Sequence, residues 1–173
     1  VTWESHVLRT VTQTELKAYF EAHRLEFDGT RLHLRQIVKS VSAGAEATEW
    51  DIAEKQIAEL RTQITSGQIE FPAAAMKHSS SPSGKSGGDL GFVKYSGDLP
   101  TPVAKAAFAL SDGEISPPIR SQVGMHLIQV VARQPGDLSL EDARPALLRS
   151  LGEQLWKKTV ADLRSKAKVT VVP

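Results

Sequence analysis

The chain of 173 residues carries 21 basic and 20 acidic side chains, five histidines and no cysteine. This near-neutral balance argues against a nucleic-acid-binding surface, and the absence of cysteine excludes a disulfide scaffold, a thiolate metal site and a cysteine nucleophile. Apolar residues make up 40% and charged residues 24%, a composition that indicates a packed globular protein. No apolar run approaches the ~20 residues that a membrane-spanning helix needs.

The first third of the chain predicts two helices and a strand. Thr12 and Glu15 form a capping-box pattern at the start of a helix that runs to His23. The next element is a strand over 32–38, in which the side chains of Leu32, Leu34 and Gln36 share one face and those of His33, Arg35 and Ile37 the other. A second helix is predicted over 46–66, because apolar residues recur there at every third or fourth position.

Shorter elements and a long terminal helix follow. Their predicted bounds in chain order are a helix at 71–78, a loop rich in Ser, Gly and Pro at 79–91, a short strand at Phe92 and Val93, a helix at 101–110, and strands at Ile119 and 124–132. The dense apolar run MHLIQVV is typical of a central strand. Ser139 and Asp142 can cap a C-terminal helix, which Pro145 should perturb near its start. The β-branched residues of 169–172 favour a terminal strand.

This order of elements predicts an α+β fold with few and short strands. Four segments in series then resemble the parvulin family of peptidyl-prolyl cis-trans isomerases (PPIases, rotamases). They are LRQIVKS (34–40), FPAAAMKHSSSPSGKSGGDLGF (71–92), PVAKAAFALSDGEISPPI (102–119) and VGMHLIQVV (123–131). They resemble, respectively, the opening strand, the helix with a serine loop and GGDLG turn, the helix with a GEIS-P turn, and the closing strand of that family.

The two flanks resemble the terminal helices of bacterial SurA/PrsA-type foldases, where they build a separate chaperone part. The resemblance implies a parvulin-like (FKBP-like) core over 31–134, with a small antiparallel or mixed sheet surrounded by helices. It also implies a linker or chaperone-type helix over 1–30, and a C-terminal helix and strand over 135–173 that pack with the N-terminal segment.

The resemblance implies an isomerase of X-Pro bonds that assists the folding of exported proteins, with no cofactor and no metal. An X-Pro bond isomerises over a barrier of ~18–20 kcal/mol, which falls if a site binds the twisted amide better than the planar one. By resemblance, the apolar pocket for the proline ring falls on Leu90, Leu99, Val103, Phe108 and Met125. The family usually carries a larger Phe at the position of Val103, so a wider and weaker pocket is expected.

The polar part of the implied site falls on Gln36, Ser81, Ser121 and His126. Gln36 stands where the family carries its first-strand histidine, and Ser81 where it carries Cys or Asp. Both side chains can form hydrogen bonds, but neither supplies an anionic group, so weak activity is expected. His126 has a second interpretation, as a hydrogen-bonded core residue of a dense apolar strand.

Other kinds of site fit the sequence poorly. Gly84-Lys85-Ser86 matches the end of a phosphate-binding loop, but Ser79 stands where that loop requires its first glycine. The histidines lack metal-ligand spacing, and the run 77–81 offers no paired base for a serine nucleophile. The loop 39–44 has one lysine and no arginine pair, so we expect no preference for phosphoserine-proline substrates.

Three hypotheses remain open at this point. The first is an active isomerase, and the second is a non-catalytic chaperone (holdase) that binds unfolded polypeptides on a degenerate parvulin scaffold. The third is a structural domain that forms a homodimer through its terminal helices. The expected partners are unfolded or proline-containing polypeptides, with no nucleic acid and no small-molecule cofactor. The expected location is extracytoplasmic, in the periplasm or cell envelope, with any signal or anchor before Val1.

Overall fold

The computed structural model describes residues 2–166. Its α-helices are α1 (Trp3–Thr10), α2 (Gln13–Ala22), α3 (Arg24–Phe27), α4 (Ala47–Thr65), α5 (Phe71–His78), α6 (Thr101–Phe108) and α7 (Leu140–Lys166). Its strands are β1 (Arg31–Ser40), β2 (Asp89–Lys94), β3 (Ile119–Ser121) and β4 (Gly124–Gln134), and a short 3₁₀ helix occupies Pro82–Ser86.

The four strands form one antiparallel sheet in the order β2-β1-β4-β3. The predicted α+β class with a small antiparallel sheet is therefore confirmed. The run MHLIQVV lies in β4, which is one of the two inner strands, as its apolar composition predicts.

Both faces of the sheet are covered, and the strand alternation assigns each side chain to one of them. One face, called here the α6 face, joins β-strand side chains to those of α6; its buried members are Leu32, Leu34, Val93, Val103, Ala107, Phe108, Ile119, Ile128 and Val130. The opposite face, the α4–α5 face, carries Ile37, Val41, Ala53, Ile57, Leu60, Phe71, Ala74, Ala75, Met125 and Leu127. Residues of even number in β1 thus point to the α6 face, which is the face predicted for Gln36.

A β-bulge interrupts the pairing of β1 with β2. Leu34 pairs with Gly91 and Arg35 with Asp89, so that Leu90 is an extra residue in β2. Gly91 has a φ of 64°, a conformation that favours glycine. Bulges redirect side chains beside functional sites, and here Leu90 packs against the α6-face cluster.

The chain divides into two compact units, one made of Gly29–Asp137 and the other of the chain up to Asp28 together with the chain from Leu138 onward. The second unit has its own core, in which Leu16 and Phe20 of α2 pack against Ala143 and Leu147 of α7. The predicted capping box is present, because Thr12 and Glu15 each bond the other's backbone.

The helix α7 continues through Pro145, whose missing N–H removes one helical hydrogen bond near its start. The division of the chain into 1–30, 31–134 and 135–173 stays a prediction.

Several local predictions were wrong or incomplete. The sequence pattern missed α1, in which only Val7 is buried, and α3. The segment 79–91 is not one loop, since it contains the 3₁₀ helix and the start of β2. The predicted strand over 169–172 lies outside the described residues. Across residues 2–166, no helix is both long and apolar enough to cross a bilayer.

Candidate functional site

Three polar side chains meet where β1 faces the serine loop. The Gln36 side-chain amide donates from Nε2 to Ser81 Oγ at 3.2 Å and to Ser83 Oγ at 3.4 Å. The two serine hydroxyls are themselves 3.0 Å apart and hydrogen-bonded. The structure thus brings together two of the sequence-predicted polar residues, and it adds Ser83, which the sequence analysis did not select.

Backbone contacts hold this loop against the strand. Ser79 Oγ accepts from the backbone N–H of Val38 at 3.1 Å and from that of Ser81 at 3.2 Å. The N–H of Gln36 donates to the carbonyl of Gly88 at 2.8 Å. Gly88 has a φ of 80°, and a Cβ there would overlap the carbonyl oxygen of Gln36 and lie 3.1 Å from its nitrogen. Glycine is therefore required for this close approach of the GGDLG turn to β1.

The second polar pair lies on β3 and β4. His126 Nε2 and Ser121 Oγ are 2.7 Å apart, and the Ser121 hydroxyl also accepts from the backbone N–H of Val123. Both side chains are buried, with 3% and 7% exposed, and burial lowers the pKa of His126. The imidazole is therefore neutral near pH 7. Its Nδ1 is buried and has no hydrogen-bond partner among the described residues.

The two polar pairs share one face of the sheet. His126 pairs with Val38 and Ile128 with Gln36 in the β1–β4 ladder, so the side chains of Gln36 and His126 both point to the α6 face. Ser121 lies two residues after Ile119, which is buried on that same face. No direct bond joins Gln36 to His126, and the polar set thus consists of two separate hydrogen-bonded groups.

Four of the five predicted pocket residues lie in the cluster on this face. Val103 is fully buried and Phe108 is 5% exposed, and both come from α6. Leu90 and Leu99 are partly buried and pack against them. The Phe108 ring meets that of Tyr95 edge-on, at 5.2 Å between centroids.

The structure does not bring Met125 to this cluster. Met125 is 3% exposed and packs on the α4–α5 face, with residues such as Ile57 and Leu127. The reason is the two-residue period of β4: neighbouring residues point to opposite faces, so Met125 and His126 cannot both face the same pocket. We therefore leave Met125 out of the proposed site.

A carboxylate lies at the edge of the serine loop. His33 Nε2 is 2.9 Å from Asp89 Oδ1, which also accepts from the backbone N–H of Gly91 at 2.7 Å. Both contacts lower the pKa of Asp89, and the hydrogen bond from Gly91 has the larger effect. Over residues 2–166 there is no group of three or more His, Cys, Asp or Glu side chains that could hold a metal ion.

Comparison with known proteins identifies the class to which this fold and site belong. The PPIC-type PPIase domain family (rotamase) matches residues 33–132, a segment that contains most of the sheet and both polar groups. The chain therefore belongs to the PPIC-type PPIase, or parvulin, family.

The curated relatives are bacterial chaperones. Chaperone SurA of Thiobacillus denitrificans is 31% identical over 172 residues, which cover 97% of this chain and 37% of that protein. Chaperone SurA of Nitrosospira multiformis is 35% identical over 141 residues, covering 79% of this chain and 31% of that protein. The chain thus spans about a third of the length of the curated relatives that it matches.

Solved structures share the fold. The peptidylprolyl isomerase PrsA from Bacillus cereus superposes with a TM-score of 0.62 at 22% identity, over 99% of this chain and 60% of that one. The solution structure of TbPIN1 gives a TM-score of 0.52 at 31% identity, over 59% of this chain and 97% of that one.

Proposed function

We propose that this chain is a peptidyl-prolyl cis-trans isomerase that assists the folding of exported proteins in the periplasm or cell envelope. One observation carries the proposal: the polar groups Gln36–Ser81 and Ser121–His126 share a sheet face with the apolar cluster of Leu90, Leu99, Val103 and Phe108. Family membership and the SurA and PrsA relatives support it.

The proposed mechanism is non-covalent. Twisting an X-Pro bond removes its amide resonance, so the lone pair returns to the prolyl nitrogen and that atom becomes a better hydrogen-bond acceptor. A hydroxyl or amide donor held beside the bond therefore binds the twisted state more tightly than the planar state and lowers the barrier. The Ser81 hydroxyl supplies such a donor, the Gln36 amide binds that hydroxyl, and neither group carries a charge.

In this proposal the proline ring binds against Leu99 and Leu90, which are the partly buried members of the cluster. Val103 and Phe108 are buried members of the same cluster. Burying the proline ring against these apolar side chains contributes roughly 25 cal/mol of binding free energy per Å² of apolar surface removed from water. The loop 39–44 carries one lysine and no arginine pair, so we propose no preference for a phosphorylated residue before proline.

The test is a protease-coupled cis/trans assay on a panel of X-Pro peptides with the wild-type chain, Leu99→Ala and a matched control. Ile64→Ala is that control, because Ile64 is also partly buried but packs on the α4–α5 face. We expect acceleration by the wild type, a tenfold to hundredfold loss of kcat/KM in Leu99→Ala (about 1.5–3 kcal/mol), and little change in Ile64→Ala. Equal losses in both variants would contradict this location of the proline site.

A second candidate function is a holdase that binds unfolded polypeptides without catalysis. It is favoured by an open groove of about 660 Å³ in the unit formed by the two ends of the chain. Its lining includes Trp3 and Trp156, whose rings meet edge-on at 5.1 Å, and the exposed side chain of Leu8. Exposed apolar surface of this kind is typical of binding sites.

Suppression of aggregation separates the two candidates. If no peptide of the panel is isomerised, while the wild-type chain suppresses the aggregation of an unfolded protein and Trp156→Ala does not, the holdase function replaces the isomerase function. Isomerisation that Trp156→Ala leaves intact supports the isomerase site in the other unit. Dimer formation through the terminal helices is a third proposal, and analytical ultracentrifugation tests it.

A further inference from the structure

The Ser83 hydroxyl is a third polar group beside Gln36 and Ser81, and the proposed mechanism gives it no role. Its hydroxyl contacts both Ser81 Oγ and the Gln36 amide, at 3.0 and 3.4 Å, and its side chain is partly buried. It is the second residue of the 3₁₀ helix, which begins directly after Ser81, so the helix fixes its position relative to Ser81. Ser79 fixes the other side, because its hydroxyl binds the backbone N–H of Ser81.

The hydrogen atoms in this group can be counted. The Gln36 amide carries two N–H donors on Nε2, and this nitrogen contacts both serine oxygens. Each serine hydroxyl has one hydrogen and two lone pairs. One of the two hydroxyl hydrogens is used in the Ser81–Ser83 bond, and the other remains available for a further acceptor.

We propose that Ser83 is a positioning residue that donates its hydrogen to Ser81, so that the Ser81 hydroxyl is left to donate to the X-Pro amide. In this arrangement Ser81 accepts from both Gln36 and Ser83, which fills its lone pairs and directs its only hydrogen outward. Hydrogen bonds in such a chain polarise one another, so Ser81 becomes a stronger donor than an isolated serine. A neutral relay thereby takes the place of an anionic or thiol group. The inference rests on the proposed isomerase function.

The kinetic test is a double-mutant cycle in the isomerase assay. We expect Ser83→Ala to lower kcat/KM roughly fivefold to tenfold in the wild-type background, as for loss of one hydrogen bond, and to have no further effect in Ser81→Ala. Ser83→Thr keeps the hydroxyl and should retain most of the rate. Ser86→Ala is the control, since Ser86 is an exposed serine at the end of the same 3₁₀ helix. Independent, multiplying losses from Ser81→Ala and Ser83→Ala would overturn the relay.

A second measurement reads the contact without isomerase activity. The chain has no cysteine, so Ser81→Cys introduces a single thiol whose alkylation rate by iodoacetamide can be followed against pH. A hydroxyl donor stabilises the thiolate, so the midpoint of this profile should lie roughly one pH unit lower in Ser81→Cys than in Ser81→Cys/Ser83→Ala. Neighbouring charged groups such as Asp89 are common to both proteins and cancel in the comparison.

The two measurements keep failure of the relay distinct from failure of the enzyme. Equal alkylation midpoints would overturn the inference even if the wild type is an active isomerase. A shifted midpoint in a chain that isomerises no peptide would overturn the isomerase function, and with it the positioning role of Ser83. A shifted midpoint together with coupled losses of kcat/KM is the expected result.

Discussion

Gly88 offers a sharp test of how the site is held, because its backbone touches that of Gln36. The substitution Gly88→Ala places a Cβ at a φ of 80°, against the carbonyl oxygen of Gln36 and 3.1 Å from its nitrogen. Gly44 provides a matched control. It has a φ of 85°, but a Cβ there would meet nothing within 4 Å.

The expected magnitudes follow from these two environments. Both variants lose about 1–2 kcal/mol of unfolding free energy, because a side chain is strained in the left-handed region. Gly88→Ala must also displace β1 or the turn, which weakens the 2.8 Å bond from the Gln36 N–H and strains the packing. That adds about 2–3 kcal/mol, so we expect a total near 4 kcal/mol for Gly88→Ala.

Urea unfolding followed by far-UV circular dichroism measures the stability of both variants, and the isomerase assay measures the site. We expect Gly44→Ala to keep the wild-type kcat/KM, and the folded fraction of Gly88→Ala to lose most of it because Gln36 and Ser81 separate. If the two variants lost the same free energy and kept the same activity, the contact between Gly88 and Gln36 would not be what positions the site.

Three further predictions concern packing and pH. Leu147→Ala should lower the free energy of unfolding in urea by about 2–5 kcal/mol, because Leu147 is fully buried. Leu163→Ala in the same helix should lower it by less than about 0.5 kcal/mol, because Leu163 is 63% exposed. Similar losses in the two variants would contradict the described core.

Since the pKa of Asp89 is lowered in the folded protein, its stabilisation is present at neutral pH and disappears as pH falls through that lowered pKa. Asp89→Asn should therefore be less stable than the wild type at pH 7, by less than about 1 kcal/mol for so exposed a carboxylate, and a difference that persisted at pH 2 would refute the assignment. Because burial keeps His126 neutral, kcat/KM should be constant between about pH 7 and 8. A kcat/KM that changes with pH across that window would contradict a neutral His126.

The main elements of the fold could be predicted because their signals are local. The alternating apolar residues of β1, the dense run of β4 and the capping box at Thr12 all appear within a few neighbouring positions. The helix α1 gives no such signal, since only Val7 is buried and its partners on α7 lie far along the sequence. The bulge at Leu90 could not be predicted from the local sequence either, because it depends on the pairing of β1 with β2.

The candidate site shows the same limit. Gln36 and Ser81 come together as the resemblance implied, although 45 positions separate them along the chain. Met125 was misplaced for a reason that the sequence itself contains: it precedes His126 on one strand, and alternation sends it to the opposite face. Ser83 carried no sequence signal, because a 3₁₀ helix within a serine-rich segment brings its hydroxyl to Gln36.

The most direct test of the central claim is an equilibrium NMR exchange measurement on an Ala-Pro peptide, which observes cis-trans interconversion without a coupling protease. Catalytic amounts of the wild-type chain should raise the exchange rate, and Leu99→Ala, shown by circular dichroism to be folded, should lower that acceleration at least tenfold while Ile64→Ala retains it. An exchange rate that the folded wild-type chain leaves unchanged would contradict the assignment of an isomerase site to the α6 face.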